Sequence, residues 1–287
     1  MMEKHPVWLR KVSPDPKILT GMKKRLDGLN IQTVCEGAQC PNQGECFSRS
    51  TATFLLLGPV CTRNCRFCAI KNDNPLPIDK NEPANVAGAV QQLNLRHVVI
   101  TSVARDDLDD GGSAHFAETI KRVRSFNPET SIEVLIPDFQ GSAYALKAVI
   151  KSRPDVINHN IETVSRLYRK VRPQADYHRS LKLLRCVKEI DNNIVSKSGI
   201  MLGLGEERDE VLTAMSDLRS AECDLITIGQ YLRPSKQHHP VERYIPPNEF
   251  EEFKNIAYDT DFKGAASASF VRSSYRAAEL YRRAATF

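Results

Sequence analysis

Six of the chain's eight cysteines fall between residues 35 and 68, in two triplets of different spacing. Cys61, Cys65 and Cys68 read C-x3-C-x2-C, and Cys35, Cys40 and Cys46 read C-x4-C-x5-C. Thiolates favour soft and borderline metals. Three of them within a short loop can each hold one corner of a cubane iron–sulfur cluster, which leaves the fourth iron without a protein ligand. Such an open iron can bind a substrate, whereas a cluster used only to pass electrons ordinarily has every iron ligated. The competing reading is structural zinc, which takes four protein ligands in a tetrahedral array. No fourth Cys or His stands close in sequence to Cys61, Cys65 and Cys68, which argues against zinc there; the upstream triplet, taken alone, leaves zinc open. Cys186 and Cys223 stand singly on helix-like segments and read as core packing.

The elements that must position these thiols alternate. From residue 51 onward, short β-branched apolar segments at 53–57, 97–101, 132–136, 155–158, 195–201 and 225–228 are separated by amphipathic stretches. Helices are expected near 83–94, 113–125, 142–152, 162–170, 178–190 and 207–221, with another near 248–260. This is the pattern of repeated βα units around a parallel sheet. Six repeats suit an α/β partial (βα)6 TIM-like barrel over 51–235, with an N-terminal extension (1–50) carrying the upstream triplet and a C-terminal extension (236–287). A doubly wound sheet is the structural alternative. The polar and glycine-rich loops all follow strand candidates, and in parallel α/β folds those loops build the active site. They are therefore expected to face one cavity.

Several of these loop residues have ordinary local explanations. Asp110-Gly111-Gly112 reads as a turn leading into a helix. Asn160 reads as an N-cap with Glu162 in the first turn, and Lys197 and Arg172 as ion-pair partners. The stretch with Gly203 and Gly205 matches neither a phosphate-binding loop nor a dinucleotide fingerprint. His159 reads as a satisfied buried histidine, and the adjacent His238 and His239 point in different directions on regular structure.

Of the 287 residues, 41% are hydrophobic and 26% charged, an ordinary globular balance. The formal net charge of +5 is spread along the chain without a dense Lys/Arg block, which argues against a nucleic-acid partner. A mild positive field suits an acidic protein partner. No apolar stretch approaches the roughly 20 residues of a membrane helix, so no membrane association is expected. Residues 1–11 lack the apolar run of a signal peptide. A cytoplasmic protein is expected, and in that reducing compartment clustered cysteines serve metal or redox chemistry rather than disulfides.

The C-x3-C-x2-C spacing after the first strand of a βα array resembles the radical S-adenosylmethionine (SAM) superfamily. That resemblance implies that Cys61, Cys65 and Cys68 hold a 4Fe-4S cluster whose open iron is chelated by SAM. An electron delivered there releases a 5′-deoxyadenosyl radical. The pair of triplets, together with Arg105-Asp106-Asp107-Leu108, Asp110-Gly111-Gly112, Pro137-Asp138-Phe139, Asn158-His159-Asn160, Arg172-Pro173, the 203–206 segment and Arg272-Ser273-Ser274-Tyr275, resembles the lipoyl synthases from about residue 30 almost to the C-terminus. Ala104 and Gln174 stand where family members more often carry Asp and Gly.

The resemblance implies a second, auxiliary 4Fe-4S cluster on Cys35, Cys40 and Cys46, with Ser274 on its remaining iron. It implies SAM contacts at Asp110, Gly111 and Gly112 (methionyl amino group), Gly203 and Gly205 (adenine or ribose), and Asn160 and Glu162 (ribose and reacting carbon), with Lys197 and Arg172 touching SAM or a carrier. The implied reaction is insertion of two sulfur atoms, drawn from the auxiliary cluster, at C6 and C8 of an octanoyl chain. That chain is borne by a lipoyl carrier domain of 2-oxoacid dehydrogenases or by the glycine cleavage H protein, with ferredoxin or flavodoxin as electron donor. The alternatives are another radical SAM sulfur-inserting enzyme, such as a methylthiotransferase, or a non-enzymatic iron–sulfur carrier or zinc module.

Overall fold

All six β-branched segments form strands: β1 (Thr53–Leu56), β2 (His97–Ser102), β3 (Ser131–Leu135), β4 (Val156–Asn158), β5 (Val195–Leu202) and β6 (Leu225–Gln230). In the computed structural model they lie side by side in chain order, every pair parallel. The structure describes residues 6–10, 16–29, 31–38, 40–48 and 51–285. Residues 1–5 and 11 of the charged N-terminus, and Gln39 within the upstream triplet, lie outside the described residues.

Two strands extend this array beyond the sequence expectation. β7 (Gly264–Ala268) pairs in parallel with β6, Gly264 opposite Leu225. Its Gly-Ala-Ala-Ser-Ala sequence carries no β-branched or aromatic residue, so the usual strand signal is missing. At the other edge Gln32–Thr33 pairs antiparallel with β1, Thr33 opposite Phe54, which fastens the upstream cysteines to the sheet. The eight-stranded sheet begins with Gln32–Thr33 and ends with β7, an α/β partial barrel.

Helices α1 (Glu82–Gln92), α2 (Ser113–Phe126), α3 (Ala143–Lys151), α4 (Tyr177–Ile190), α5 (Arg208–Ser220) and α6 (Pro247–Asp259) bury one apolar stripe each. On α3 the stripe is Ala145, Leu146, Val149 and Ile150. The starts of α3, α4 and α5 are capped at the N-cap position: Ser142 accepts from the Ala145 amide (3.3 Å), Asp176 accepts from the Arg179 amide (2.7 Å), and Glu207 with Glu210 forms a capping box. A final helix, α7 (Ala277–Ala284), lays Leu280 and Ala284 against Leu225. No helix among the described residues is long and apolar enough to cross a membrane.

The helix expected over 162–170 is reduced to a 3-10 turn, Ser165–Leu167, and one α turn, Tyr168–Val171. Glu162 adopts a left-handed conformation (φ 65°) and continues alongside β5: its amide donates to the Gly199 carbonyl (2.9 Å) and its carbonyl accepts from the Met201 amide (2.8 Å). The second of these bonds occupies the carbonyl that a helix starting at this point would use.

Lys197, expected to touch SAM or a carrier, lies instead within a closed ion pair in the barrel. Its ammonium sits 2.8 Å from Glu133, both side chains being fully excluded from solvent, and Asn158 donates to the same carboxylate oxygen (3.2 Å). Burial pushes the Glu133 carboxyl up, but Lys197 and His97 outweigh it and bring it down to about 2. A charge pair sealed this way is structural, because removing one partner would strand the other in a dry interior.

Candidate active site

A cavity of about 470 Å³ opens at the carboxyl ends of the strands. Cys61, Cys65 and Cys68 border it together with Cys35, Cys40 and Ser274. Cys46, on the short helix Gln43–Ser48, is half-buried and packs against the core just outside that lining.

The 61–68 loop is held from every side. Two backbone amides, those of Arg63 (3.4 Å) and Ala104 (3.3 Å), donate to the Cys61 sulfur. The Thr62 amide and hydroxyl both donate to the Ala104 carbonyl (3.1 and 3.0 Å). Asn64 donates its amide to Gln174 (2.8 Å), so one of the departures from the family pattern has a defined task. Arg66 donates to the Val171 carbonyl (2.9 Å), and His238 contacts the Cys68 carbonyl (3.0 Å).

The strongest of these anchors is Arg63, buried to 6% side-chain exposure. It pairs with Asp106 (2.6 Å) and with Asp138 (2.5 Å), which is 1% exposed. Burial pushes the Asp138 carboxyl up, yet hydrogen bonding to and attraction by Arg63 bring it down to about 2. Arg63→Ala leaves Asp138, among the described residues, with Arg179 alone as an ion-pair partner (3.1 Å). It should destabilise the fold by about 3 kcal/mol at neutral pH, read by denaturant unfolding. A depressed carboxylate stabilises the fold above its unfolded value near ~4, so the penalty should fade as pH drops from about 4 toward 2. A pH-independent penalty would assign Arg63 a packing role alone.

The upstream triplet and the C-terminal loop are tied across more than 200 residues of sequence. Asn42 donates to the Phe270 carbonyl (2.7 Å), and the Tyr275 hydroxyl donates to Glu45 (2.7 Å). These two bonds bracket Arg272, Ser273 and Ser274, which border the cavity beside Cys35 and Cys40. Beneath the loop runs Gly229: a Cβ there would collide with the backbone carbonyl of Val271, closer than real Cβ atoms approach. Gly229→Ala should therefore push the 270–275 loop away and cost about 1–3 kcal/mol, with the sulfur insertion that the resemblance implies falling more than SAM cleavage. Equal loss of both activities would contradict a local displacement.

Polar side chains complete the wall. Asn160 donates to Glu162 (3.0 Å), and Arg172 donates to the carbonyls of Asn160 and Ile161 (3.0 Å each). Burial pushes the Glu162 carboxyl up, against the pull of Arg172 and Arg272, and the same desolvation lowers the Arg272 guanidinium. Asn160 Oδ1 and Arg172 Nε are buried without a partner, although both residues border the cavity. Orphaned buried polar atoms of this kind call for a partner such as water, an ion or a ligand.

The donor set fits iron–sulfur clusters. Burial raises the Cys65 thiol and pushes Cys35 and Cys68 up to about 12. A thiolate in such a place is stable only beside compensating positive charge, as metal supplies. Among the described residues no three His, Cys, Asp or Glu side chains converge on a single ion position. A cubane needs no such convergence, because each thiolate binds its own corner iron.

Other expected contacts lie elsewhere. Asp110 caps α2, accepting from the Gly112 (2.9 Å) and Ala114 (2.8 Å) amides. Gly111 borders a separate cleft of about 370 Å³ with Phe139 and Gln140, and it is Thr101 to Ala104 that reach the main cavity from β2. Gly203 and Gly205, at φ 101° and 105°, pack beneath Arg243 and Glu242 outside the cavity lining. His159 is the satisfied buried histidine expected, bonded to Ile136 and Ser180. Cys223 is buried in the core around α5, and Cys186 packs against the core around α3. Arg63 escaped the sequence reading, and His238 was left without a role, because their partners are distant; only the juxtaposition of Arg63 with two cysteines hinted at the former.

The radical SAM superfamily model matches residues 55–218. A lipoyl synthase of Caldicellulosiruptor saccharolyticus is 54% identical over 279 residues, 97% of this chain and 98% of that protein. One from Caldicellulosiruptor bescii is 56% identical over 275 residues, 96% and 94% of the two chains. The solved FeFe-hydrogenase maturase of Carboxydothermus hydrogenoformans, 12% identical, superposes with a TM-score of 0.56 over 87% of this chain and 70% of its own, a likeness of fold alone. With its two cysteine triplets gathered at the mouth of a partial βα barrel, the chain belongs to the lipoyl synthases of the radical SAM superfamily.

Proposed function

We propose that this chain inserts two sulfur atoms, at C6 and C8, into an octanoyl chain carried on the lysine of a lipoyl carrier domain or glycine cleavage H protein. The observation that carries the reading is that cysteines of both triplets and Ser274 border one cavity. When bound, SAM and the two 4Fe-4S clusters supply the electron path, the hydrogen-abstracting radical and the sulfur.

The chain's own residues bind, orient and exclude. Arg63, Thr62, Gln174 and His238 hold the 61–68 loop so that its three thiols face inward. Thr101 to Ala104, Asn160, Glu162 and Arg172 are proposed to receive SAM, the unpaired Asn160 Oδ1 and Arg172 Nε offering one acceptor and one donor. Leu55, Leu135, Met201 and Leu232 give the cavity apolar wall suited to an aliphatic chain and keep water from the reacting carbons. Ser274 is proposed as the oxygen ligand of the auxiliary cluster, with Cys35, Cys40 and Cys46. The setting inferred is a reducing cytoplasm, with ferredoxin or flavodoxin as reductant.

The test is anaerobic reconstitution with labelled sulfide, followed by a single turnover on an octanoyl-lysyl peptide. About eight irons per chain are expected, two cubanes' worth, with label in the lipoyl product. Unlabelled lipoyl at full yield, or iron held near half that number, would overturn the reading.

A further inference from the structure

Outside the cavity, a group of cations gathers at its rim. Three segments lie side by side there: the Arg66 amide donates to the Val171 carbonyl (2.9 Å), and the Arg66 carbonyl accepts from the His239 amide (2.8 Å). The 61–68 loop is thereby flanked by residues 168–171 on one side and 233–239 on the other. Four exposed cations stand on these segments: Arg66, Arg169, Arg233 and Lys236. Among the described residues none of the four pairs with a carboxylate. Arg233 donates only to the carbonyls of His238 (2.9 Å) and Lys236 (2.5 Å), and Lys170 beside them is weakly engaged with Glu242 (3.7 Å).

A cluster of uncompensated cations on neighbouring loops repels itself and is favourable once a negative surface covers it. Its place singles out the partner, because Arg233 belongs both to the patch and to the cavity lining. A body seated on the patch would overhang the opening, and an acylated lysine arm could run from it past Phe67, Leu232 and Pro234 into the cavity.

We propose that the rim formed by Arg66, Arg169, Arg233 and Lys236 docks the carrier protein through an acidic face surrounding its octanoyl-lysine. This rests on the sulfur-insertion reading above. It adds that affinity for the carrier comes from charge at the rim, whereas the acyl chain is recognised inside.

The test uses the reconstituted full-length protein, with dithionite as reductant so that no protein donor is needed. The double variant Arg169→Glu/Lys236→Glu leaves every cavity residue in place. It should weaken binding of an octanoylated carrier domain about tenfold or more at low salt, measured by calorimetry, and the gap should narrow as salt screens the charges. Turnover of a short octanoyl-lysyl peptide should be unchanged. Unaltered carrier binding, with peptide turnover intact, would overturn the docking surface and leave the proposed reaction standing. Failure of the unsubstituted protein on the peptide would sink the reaction itself. If carrier binding held while reduction by flavodoxin weakened, the patch would belong to the electron donor and the proposal would fall.

Discussion

Replacing Cys61, Cys65 and Cys68 together by Ala is expected to abolish reductive cleavage of SAM, whereas the same change at Cys35, Cys40 and Cys46 should spare part of it and eliminate lipoyl product. The two triplets hang on different supports. The first belongs to the loop after β1, clamped by Arg63 to Asp106 and Asp138; the second is fastened by the Gln32–Thr33 strand, by the bond from Asn42 to Phe270 and by the bond that Glu45 accepts from Tyr275. Removing either set of sulfurs leaves the other scaffold's anchors in place, so the fold should persist in both variants. Circular dichroism checks the fold, and 5′-deoxyadenosine and lipoyl-peptide yields, measured with dithionite, report the two activities. Identical behaviour of the two variants would refute the division of labour.

Ser274→Ala should leave folding and SAM cleavage largely intact while cutting lipoyl formation by about 100-fold or more, at or beyond the upper end of what removing a residue that supports a metal ligand costs. If Ser274 holds the auxiliary cluster as proposed, its oxygen would be a harder and poorer partner for sulfide-bridged iron than a thiolate, and so the ligand most readily given up. The structure adds a mechanical reason. Ser274 sits between two tethers, Asn42 to Phe270 and Glu45 to Tyr275, which hold the loop beside Cys40 even if the serine itself is released. Ser273→Ala, on the same loop, should have a milder effect. Lipoyl yield from Ser274→Ala within a few-fold of the unsubstituted protein would return the motif to a structural role before α7.

Six strands, most of the helices and both cysteine triplets were legible in the sequence because each rests on neighbours along the chain. Alternation and β-branching make a strand, and thiols a few residues apart must share a loop. The seventh strand was not legible: Gly264–Ala268 is strand only because β6 offers an open edge and Leu280 packs over its small residues. The shortened helix after β4 was misread for a related reason. Asn160 and Glu162 have the look of a helix start, but pairing with β5 offered the Glu162 backbone a better set of partners. Lys197, open to an ion-pair role or to contact with SAM or a carrier, became half of a sealed ion pair with Glu133, 64 positions away.

The order of residues alone says which atoms are at hand for chemistry: six clustered thiols, a serine-rich motif and the loops at strand ends. Tertiary structure decided which of them meet. Asn42 finds Phe270 and Glu45 finds Tyr275 across 228 and 230 positions, and Arg63 finds Asp138 across 75. Contacts at such separations leave no periodic trace in the chain, since they depend on how the whole sheet curls and on which groups burial then forces to find partners.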